Sequence, residues 1–391
     1  MSAPTFAEFL APMSGNEFDE GYYGRVPHHI VGGVDAPRAA MMRWKEVSDL
    51  VGLLPQWRET GLKLVLNRQR VAQEHYVTSR ETAAGRTRQP DPGLVEVMMD
   101  LGASLVLDGI EDIRPDIRSV CAMLSREFAA KVGVNLYASK RGIQGFASHC
   151  DPHEVFVVQC EGEKDWTIYD RRAEVPTTAT VLQDQDAIER SKGAPFKQVR
   201  MRPGDLLYIP RGFYHDAIAV SDRSLHLTFA VQPLYGTVLL DLARDLALDD
   251  PAFREYLPSG EAAPEALQAH LAMLAERLGS ILTSKGFAED VVVRQRGLHA
   301  PEQIADNSAR PVQAWRRTQV PLEIRQPLSG SVAIAGDATY PLGYLAEVAH
   351  WLAGASMFQD RQLRARFSHH PAEEIHALLE WFAQQRLVEP I

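Results

Sequence analysis

The stretch Ser148-His149-Cys150-Asp151-Pro152-His153-Glu154-Val155-Phe156-Val157-Val158-Gln159-Cys160-Glu161-Gly162-Glu163-Lys164-Asp165-Trp166 decides how this chain is read. His149 and Asp151 are two residues apart, so on an extended strand their side chains share a face. Val155 to Val158 is an apolar run of β type, Glu161-Gly162-Glu163 reads as a turn, and Trp166-Thr167-Ile168-Tyr169 reads as the returning strand. That hairpin carries Lys164 back beside the His-x-Asp pair. One imidazole and one carboxylate make most of a metal site, and a cation on the next strand offers a seat for an anionic co-substrate.

Further along, Pro203-Gly204-Asp205-Leu206-Leu207-Tyr208-Ile209-Pro210-Arg211-Gly212-Phe213-Tyr214-His215 supplies a second histidine. Pro203-Gly204-Asp205 is a tight turn, Leu206 to Ile209 a strand, and Pro210-Arg211-Gly212 leads into His215. Two histidines and one carboxylate form the facial triad of non-haem Fe(II) oxygenases. A rolled antiparallel sheet gathers such residues from separate strands. Taken singly, His149 or His215 reads more readily as a structural histidine. Together with Asp151 and Lys164 the metal reading prevails, because a buried carboxylate and ammonium without a metal are costly unless they pair well.

These words resemble a known family. Asn135-Leu136-Tyr137, Gln144-Gly145-Phe146, His149-x-Asp151, Glu154-Val155-Phe156, Glu161-Gly162-Glu163-Lys164 with Trp166, and the Gly204 to Gly212 run are similar to the JmjC-type 2-oxoglutarate oxygenases, and within them to the ribosomal oxygenases, or cupin-4 group. The close match covers about a quarter of the chain. It implies an α+β chain built on a double-stranded β-helix (jelly-roll, cupin-type) catalytic domain over 1–235. It implies a helical dimerisation region over 236–306 and a winged-helix-like domain over 307–391. It implies Fe(II) held by His149, Asp151 and His215, 2-oxoglutarate as co-substrate with Lys164 on its distal carboxylate, and O2 as oxidant. Asn135, Tyr137 and Thr228 match positions that line the co-substrate pocket. Ala230 departs from the family, which often places a polar residue there. The implied activity is hydroxylation of a histidyl or arginyl side chain in a protein or peptide. Rival readings are a hydroxylase of a peptide natural product or small molecule, a demethylase of N-methyl-lysine, a cupin using another metal, and a non-catalytic cupin-like scaffold. Lys164 separates them, since a cupin without 2-oxoglutarate has no need of a cation there.

Size and composition set bounds. The 391 residues are enough for two or three domains, and 45% apolar content is ordinary for a globular chain. Cys121, Cys150 and Cys160 have no metal or disulfide spacing, which suits a reducing cytoplasm and a ferrous site. Met1 to Asn16 has no signal-peptide pattern, and no apolar run approaches the roughly 20 residues of a membrane helix. A formal charge of −10 argues against broad nucleic-acid binding and suits a basic protein partner.

Outside the core, residues 4–14, Trp44 to Leu54, 93–103 and Ile113 to Val132 read as helical. Lys63 to Leu66 reads as a strand, and Ser104 to Leu107 is an apolar run after the helix. Arg80 to Pro92 is polar and reads as a loop or lid. His28-His29 and His369-His370 read as surface pairs. The core ends near Pro233, after the strand Leu225 to Val231. Pro264 opens a helix with Leu267, Leu271, Leu274, Leu278, Ile281 and Leu282 in a stripe, and Gly286 is placed to stop it. That stripe suits either packing on the chain's own core or a dimer seam. From about Asn307, helices over 341–352, 356–367 and 371–386 and a terminal strand suggest a winged helix. Residues 306–391 hold 8 Arg and no Lys against 9 acidic residues, so no nucleic-acid role is expected of it.

Overall fold

The protein is seen in a computed structural model that describes residues 4–52, 61–82, 85–298, 314–325, 331–367 and 370–390. Its contacts fall into two units, Met1–Leu278 and Gly279–Ile391. The first begins with α1 (Phe6–Leu10) and α2 (Gly15–Gly21). Thr5 and Glu8 cap α1 reciprocally, and Ser14 caps α2. Next come β1 (His28–Ile30), α3 (Trp44–Gly52), β2 (Leu62–Leu66), β3 (Gln69–Arg70), β4 (Val77–Thr82), β5 (Gly85–Pro90), α4 (Pro92–Asp100), β6 (Ser104–Asp108) and α5 (Pro115–Phe128). The core strands are β7 (Ala130–Lys140), β8 (Glu154–Glu161), β9 (Lys164–Arg172), β10 (Pro195–Met201), β11 (Leu206–Ile209), β12 (Phe213–Ala219) and β13 (Arg223–Pro233), with α6 (Gln185–Ser191) between β9 and β10. Helices α7 (Val238–Ala247) and α8 (Pro264–Leu282) follow, and the divide between the units falls inside α8.

The strands form an eight-stranded sheet, β1-β11-β8-β13-β7-β6-β2-β3, and a three-stranded sheet, β10-β9-β12. This is the mixed helix-and-sheet architecture with a double-stranded β-helix that the sequence predicts. β13 is the long central strand, with Leu227 set between Leu136 and Val158. Strand alternation sorts the side chains. Val134, Leu136, Phe156, Val158, Leu225, Leu227 and Phe229 are buried in one apolar cluster with Phe6, Phe9, Leu10 and Phe18 of the N-terminal helices and Ile117, Val120 and Leu124 of α5. Phe18 meets Tyr208 edge-on at 4.8 Å. Val155, Val157, Leu207 and Ile209 face the other way and pack with Trp166, Ile168, Val199 and Met201 of the small sheet.

Two glycines hold turns that other residues could not. Gly162, in the β8–β9 turn, has φ +67, and a Cβ there would lie 1.8 Å from the Arg223 carbonyl oxygen. Gly204 has φ +89 and would collide with the Gly33 carbonyl oxygen. Buried Arg38 donates to the carbonyls of Gly204, Phe9 and Ala11, each at 2.7 Å, fastening the N-terminal segment to that turn. His29 joins the same anchor through Asp205 at 3.0 Å, so it is tied in rather than a loose surface residue.

Other departures have local causes. Arg80 to Pro92 is largely a β-hairpin: β4 and β5 pair from Val77 with Pro90 to Thr82 with Gly85. A ladder satisfies backbone groups whatever the side chains, so polarity concealed it. Helix α5 stops at Phe128 because Ala129 takes a left-handed φ of 46, and β7 then starts at Ala130. Gly286 lies inside α9 (Lys285–Arg296), whose N-cap is Ser284, so the stripe helix ends earlier, at Leu282.

The second unit continues from α9 with β14 (Ala314–Arg317), β15 (Glu323–Arg325), β16 (Val332–Ala335), β17 (Ala338–Pro341), α10 (Ala346–Gly354), β18 (Met357–Gln359), α11 (Asp360–Arg366), α12 (Ala372–Gln384) and β19 (Val388–Pro390). Its core gathers Val348, Leu352, Phe358, Leu363, Ile375, Leu378 and Phe382. β14 lies between β18 and β19 in a three-stranded sheet, and the helices α10, α11 and α12 are followed by the terminal strand β19. The expected start at Asn307 lies outside the described residues. Among the described residues no helix is long and apolar enough to cross a membrane.

Candidate metal centre

His149 lies outside the regular strands, in a single β-bridge to His215 on β12. The two residues exchange backbone hydrogen bonds at 3.1 and 2.8 Å, and Gly212 N donates to the Asp151 carbonyl at 2.9 Å. The His149–Asp151 segment is therefore extended alongside β12 without being a full strand, and Pro152 ends the pairing. One ligand atom from each of His149, Asp151 and His215 lies within 4.8 Å of the others. His215 Nε2 and Asp151 Oδ2 are 3.4 Å apart, and the two imidazole rings are 4.5 Å apart between centroids.

The second nitrogen of each ring is also placed. His149 Nδ1 meets the Ala147 carbonyl and His215 Nδ1 the Phe213 carbonyl, both at 3.0 Å. A carbonyl only accepts, so Nδ1 carries the proton in both rings and the Nε2 lone pairs are free for a metal. Burial, aided by the His149 charge nearby, pushes the His215 imidazole down to about 4. Burial alone would raise the Asp151 carboxyl, but His149, His215 and His153 around it hold it below the usual range. The lowered His215 imidazole and the lowered Asp151 carboxyl favour a free ring nitrogen and a carboxylate, the forms that bind a divalent metal. On donor chemistry and spacing, the set fits Fe(II).

These three residues open on a cavity of about 250 Å³. All seven residues singled out from sequence line it: His149, Asp151 and His215, with Lys164 on β9, Asn135 and Tyr137 on β7, and Thr228 on β13. Lys164 is 5% exposed, and among the described residues it has no acidic partner. Burial pushes its ammonium down to about 8. Among the described residues lining the cavity it is the one Lys or Arg. Arg141 is exposed and pairs with Asp222 at 2.9 Å, while Arg211 lies over the Tyr235 ring, so neither competes for the role.

Three more lining residues carry a weaker signal in the sequence: Trp166 stands among the family words, His226 reads equally as a pocket support or a satisfied core histidine, and His153 reads as a support behind the metal ligands or a substrate-side residue. Trp166 faces the cavity two positions beyond Lys164, and Tyr137 stacks on His226 at 4.9 Å with planes 4° apart. Trp166 meets His226 edge-on at 5.6 Å. Trp166 Nε1 and His226 Nδ1 are buried without a hydrogen-bond partner. Both lie two positions from a residue already singled out, Lys164 or Thr228, so the alternation of side chains carried the signal. Beside Lys164, burial pushes the His226 imidazole far below its ordinary range. His153 also lines the cavity, and its Nδ1 meets the Glu154 carbonyl at 3.2 Å.

Residues 111–238 match the JmjC domain family. Among curated proteins, the chain is 35% identical over 180 residues to the bifunctional lysine-specific demethylase and histidyl-hydroxylase NO66 of Dictyostelium discoideum, covering 43% of this chain and 34% of that protein. It is 33% identical over 191 residues to human ribosomal oxygenase 1, covering 47% of this chain and 30% of that protein. The chain thus spans about a third of the length of these relatives. Among solved structures, Escherichia coli ycfD superposes with a TM-score of 0.52 at 15% identity, over 97% of this chain and 98% of that one, which supports the fold. Residues 111–238 thus match the JmjC domain family, and over less than half its length the chain is similar to the NO66 and ribosomal oxygenase 1 proteins.

Proposed function

We propose that the chain is an Fe(II)- and 2-oxoglutarate-dependent hydroxylase acting on a side chain of a protein or peptide. One observation supports this most: a His-Asp-His set shares one cavity with a buried lysine that has no acidic partner among the described residues. A buried unpaired ammonium is costly and is expected to hold an anionic ligand. When bound, ferrous iron with 2-oxoglutarate and O2 would supply an oxidant for an unactivated C–H bond. His149, Asp151 and His215 would hold the metal and leave other positions open. Lys164 would neutralise the distal carboxylate of 2-oxoglutarate through a charge-assisted hydrogen bond. Asn135, Tyr137 and Thr228 would add polar contacts, and the Tyr137–His226–Trp166 wall would keep water from the site.

The names of the relatives point to histidyl hydroxylation, lysine demethylation and the ribosome. We take a histidyl or arginyl side chain of a basic protein as the substrate, in keeping with the net charge of −10. The 19-residue helix α8 has no buried residue, and Leu271 on its stripe is 48% exposed. This favours a homodimer through 236–306 over packing on the chain's own core, with 307–391 as a protein-facing module. Three free, buried cysteines suit a reducing cytoplasm. The test is succinate release coupled to a +16 mass change on candidate peptides. Loss of both in His149→Ala and Asp151→Ala is expected, and undiminished turnover would end the assignment.

A further inference from the structure

On β12, His215 and its neighbour Asp216 both border the cavity. Ser148, next to His149, stands opposite Asp216 beside the same bridge. At this edge of the site their side chains meet. Ser148 Oγ donates to Asp216 Oδ2 at 2.6 Å, and Tyr169 OH, from β9, donates to the same oxygen at 2.7 Å. Lys192, the C-cap of α6, donates to Ser148 Oγ at 3.0 Å and to Tyr169 OH at 3.2 Å. Its ammonium also lies 4.3 Å from the centre of the Tyr169 ring and pairs with Glu189 at 2.7 Å. At the other end of α6, Gln185 Nε2 donates to the Ser148 carbonyl at 3.2 Å.

We propose that Asp216, with Ser148, Tyr169 and Lys192, is a positioning cluster that sets the separation of His149 and His215 and so tunes metal affinity. The inference rests on the metal reading above. Among the described residues one β-bridge and the Gly212 N to Asp151 carbonyl bond join the two histidine-bearing segments, so the backbone ties that fix their spacing are few. The Ser148–Asp216 bond is a second tie across that bridge, one residue from each histidine. Asp216 acts as the hub because one carboxylate oxygen accepts two hydroxyls. α6 then fastens the hub from outside through Lys192 and Gln185. Groups bonded directly to a ligand side chain alter metal affinity by about 10–100-fold when removed; this cluster acts one residue further out, so the lower end of that range is expected.

The test titrates metal-free protein with Co(II), following the visible absorption of the bound ion, and records thermal unfolding of the same metal-free samples. Asp216→Ala is expected to weaken Co(II) binding about tenfold and to change the band shape. Asp216→Asn keeps an acceptor oxygen and should recover most of the affinity. If Asp216→Ala fails to fold, Ser148→Ala combined with Tyr169→Phe makes a smaller cut and should still weaken binding. A folded variant with wild-type Co(II) affinity and spectrum, even one with a lower melting temperature, overturns the proposal. Wild-type protein that takes up no Co(II), or His149→Ala protein that takes it up equally well, removes the metal reading and this proposal with it.

Discussion

The two faces of the eight-stranded sheet are built on the same strands and have opposite demands. On one face of β7, β8 and β13 stand Val134, Leu136, Phe156, Val158, Leu225, Leu227 and Phe229, all in one apolar cluster. On the other face of the same strands stand Asn135, Tyr137, His226 and Thr228, lining the cavity. The first face needs only apolar volume at every second position. The second keeps polar groups where the apolar rule would place aliphatic ones: Asn135, Tyr137 and Thr228 are half-buried, and His226 is buried with its Nδ1 lacking a hydrogen-bond partner among the described residues. Polar residues kept at buried positions cost stability, and that cost is a sign of ligand binding.

Cutting the metal ligands that share the cavity with the polar face, and then the apolar face itself, should break the comparison most visibly. His149→Ala or Asp151→Ala should abolish detectable Fe(II) uptake while leaving a folded protein, checked by metal analysis after gel filtration. Leu136→Ala on the opposite face should cost about 2–5 kcal/mol of stability yet leave metal uptake by the folded fraction unchanged, checked by denaturant titration.

Lys164 sharpens the contrast because its two roles have opposite signs. Lys164→Ala should weaken 2-oxoglutarate binding by roughly 2–5 kcal/mol, by analogy with truncated charge pairs. Lys164→Met should do the same while raising the stability of ligand-free protein, since it replaces a buried ammonium that has no acidic partner. Calorimetry and thermal unfolding on one set of samples check both. A variant that binds 2-oxoglutarate normally would show that another group holds the carboxylate.

The pH dependence follows from the same residue. Burial lowers the Lys164 ammonium from 10.5 to about 8, so the folded, ligand-free protein binds fewer protons than the unfolded chain between those values. Stability should therefore gain a contribution as pH rises from about 8 toward 10.5. The charge that holds the carboxylate is lost from the ligand-free protein as pH passes about 8, so 2-oxoglutarate affinity should fall by up to about tenfold per pH unit from there.

The smallest effect on the site is expected from the far helices. Changing Leu271 and Leu274 together to Glu should yield a monomer that still binds metal, seen by light scattering. A wild-type chain that runs as a monomer at micromolar concentration would instead assign the α8 stripe to some other partner.

The core was legible because its signals are local. Leu206 to Ile209 is β11 as read, and Gly162 turns β8 into β9 so that Lys164 reaches the cavity. The seven cavity residues follow from spacings of two along strands and from the family words. What was not legible depends on distance or on polar composition. β4 and β5 are rich in Arg, Thr and Gln, and α6 lies in an insertion with no strong apolar period. Ser148 and Asp216 are 68 residues apart, and nothing in either neighbourhood announces the bond between them. Ser284 ended one helix reading and began another, a capping signal overlooked in favour of Gly286.

The central claim is that one cavity binds ferrous iron and 2-oxoglutarate together. Its most direct test is anaerobic: Fe(II) is added to the protein, then 2-oxoglutarate, and the visible spectrum is recorded. The account predicts a weak charge-transfer band that appears only with both added and is lost in Asp151→Ala. A wild-type protein that gives no band and shows no 2-oxoglutarate binding by calorimetry would contradict it.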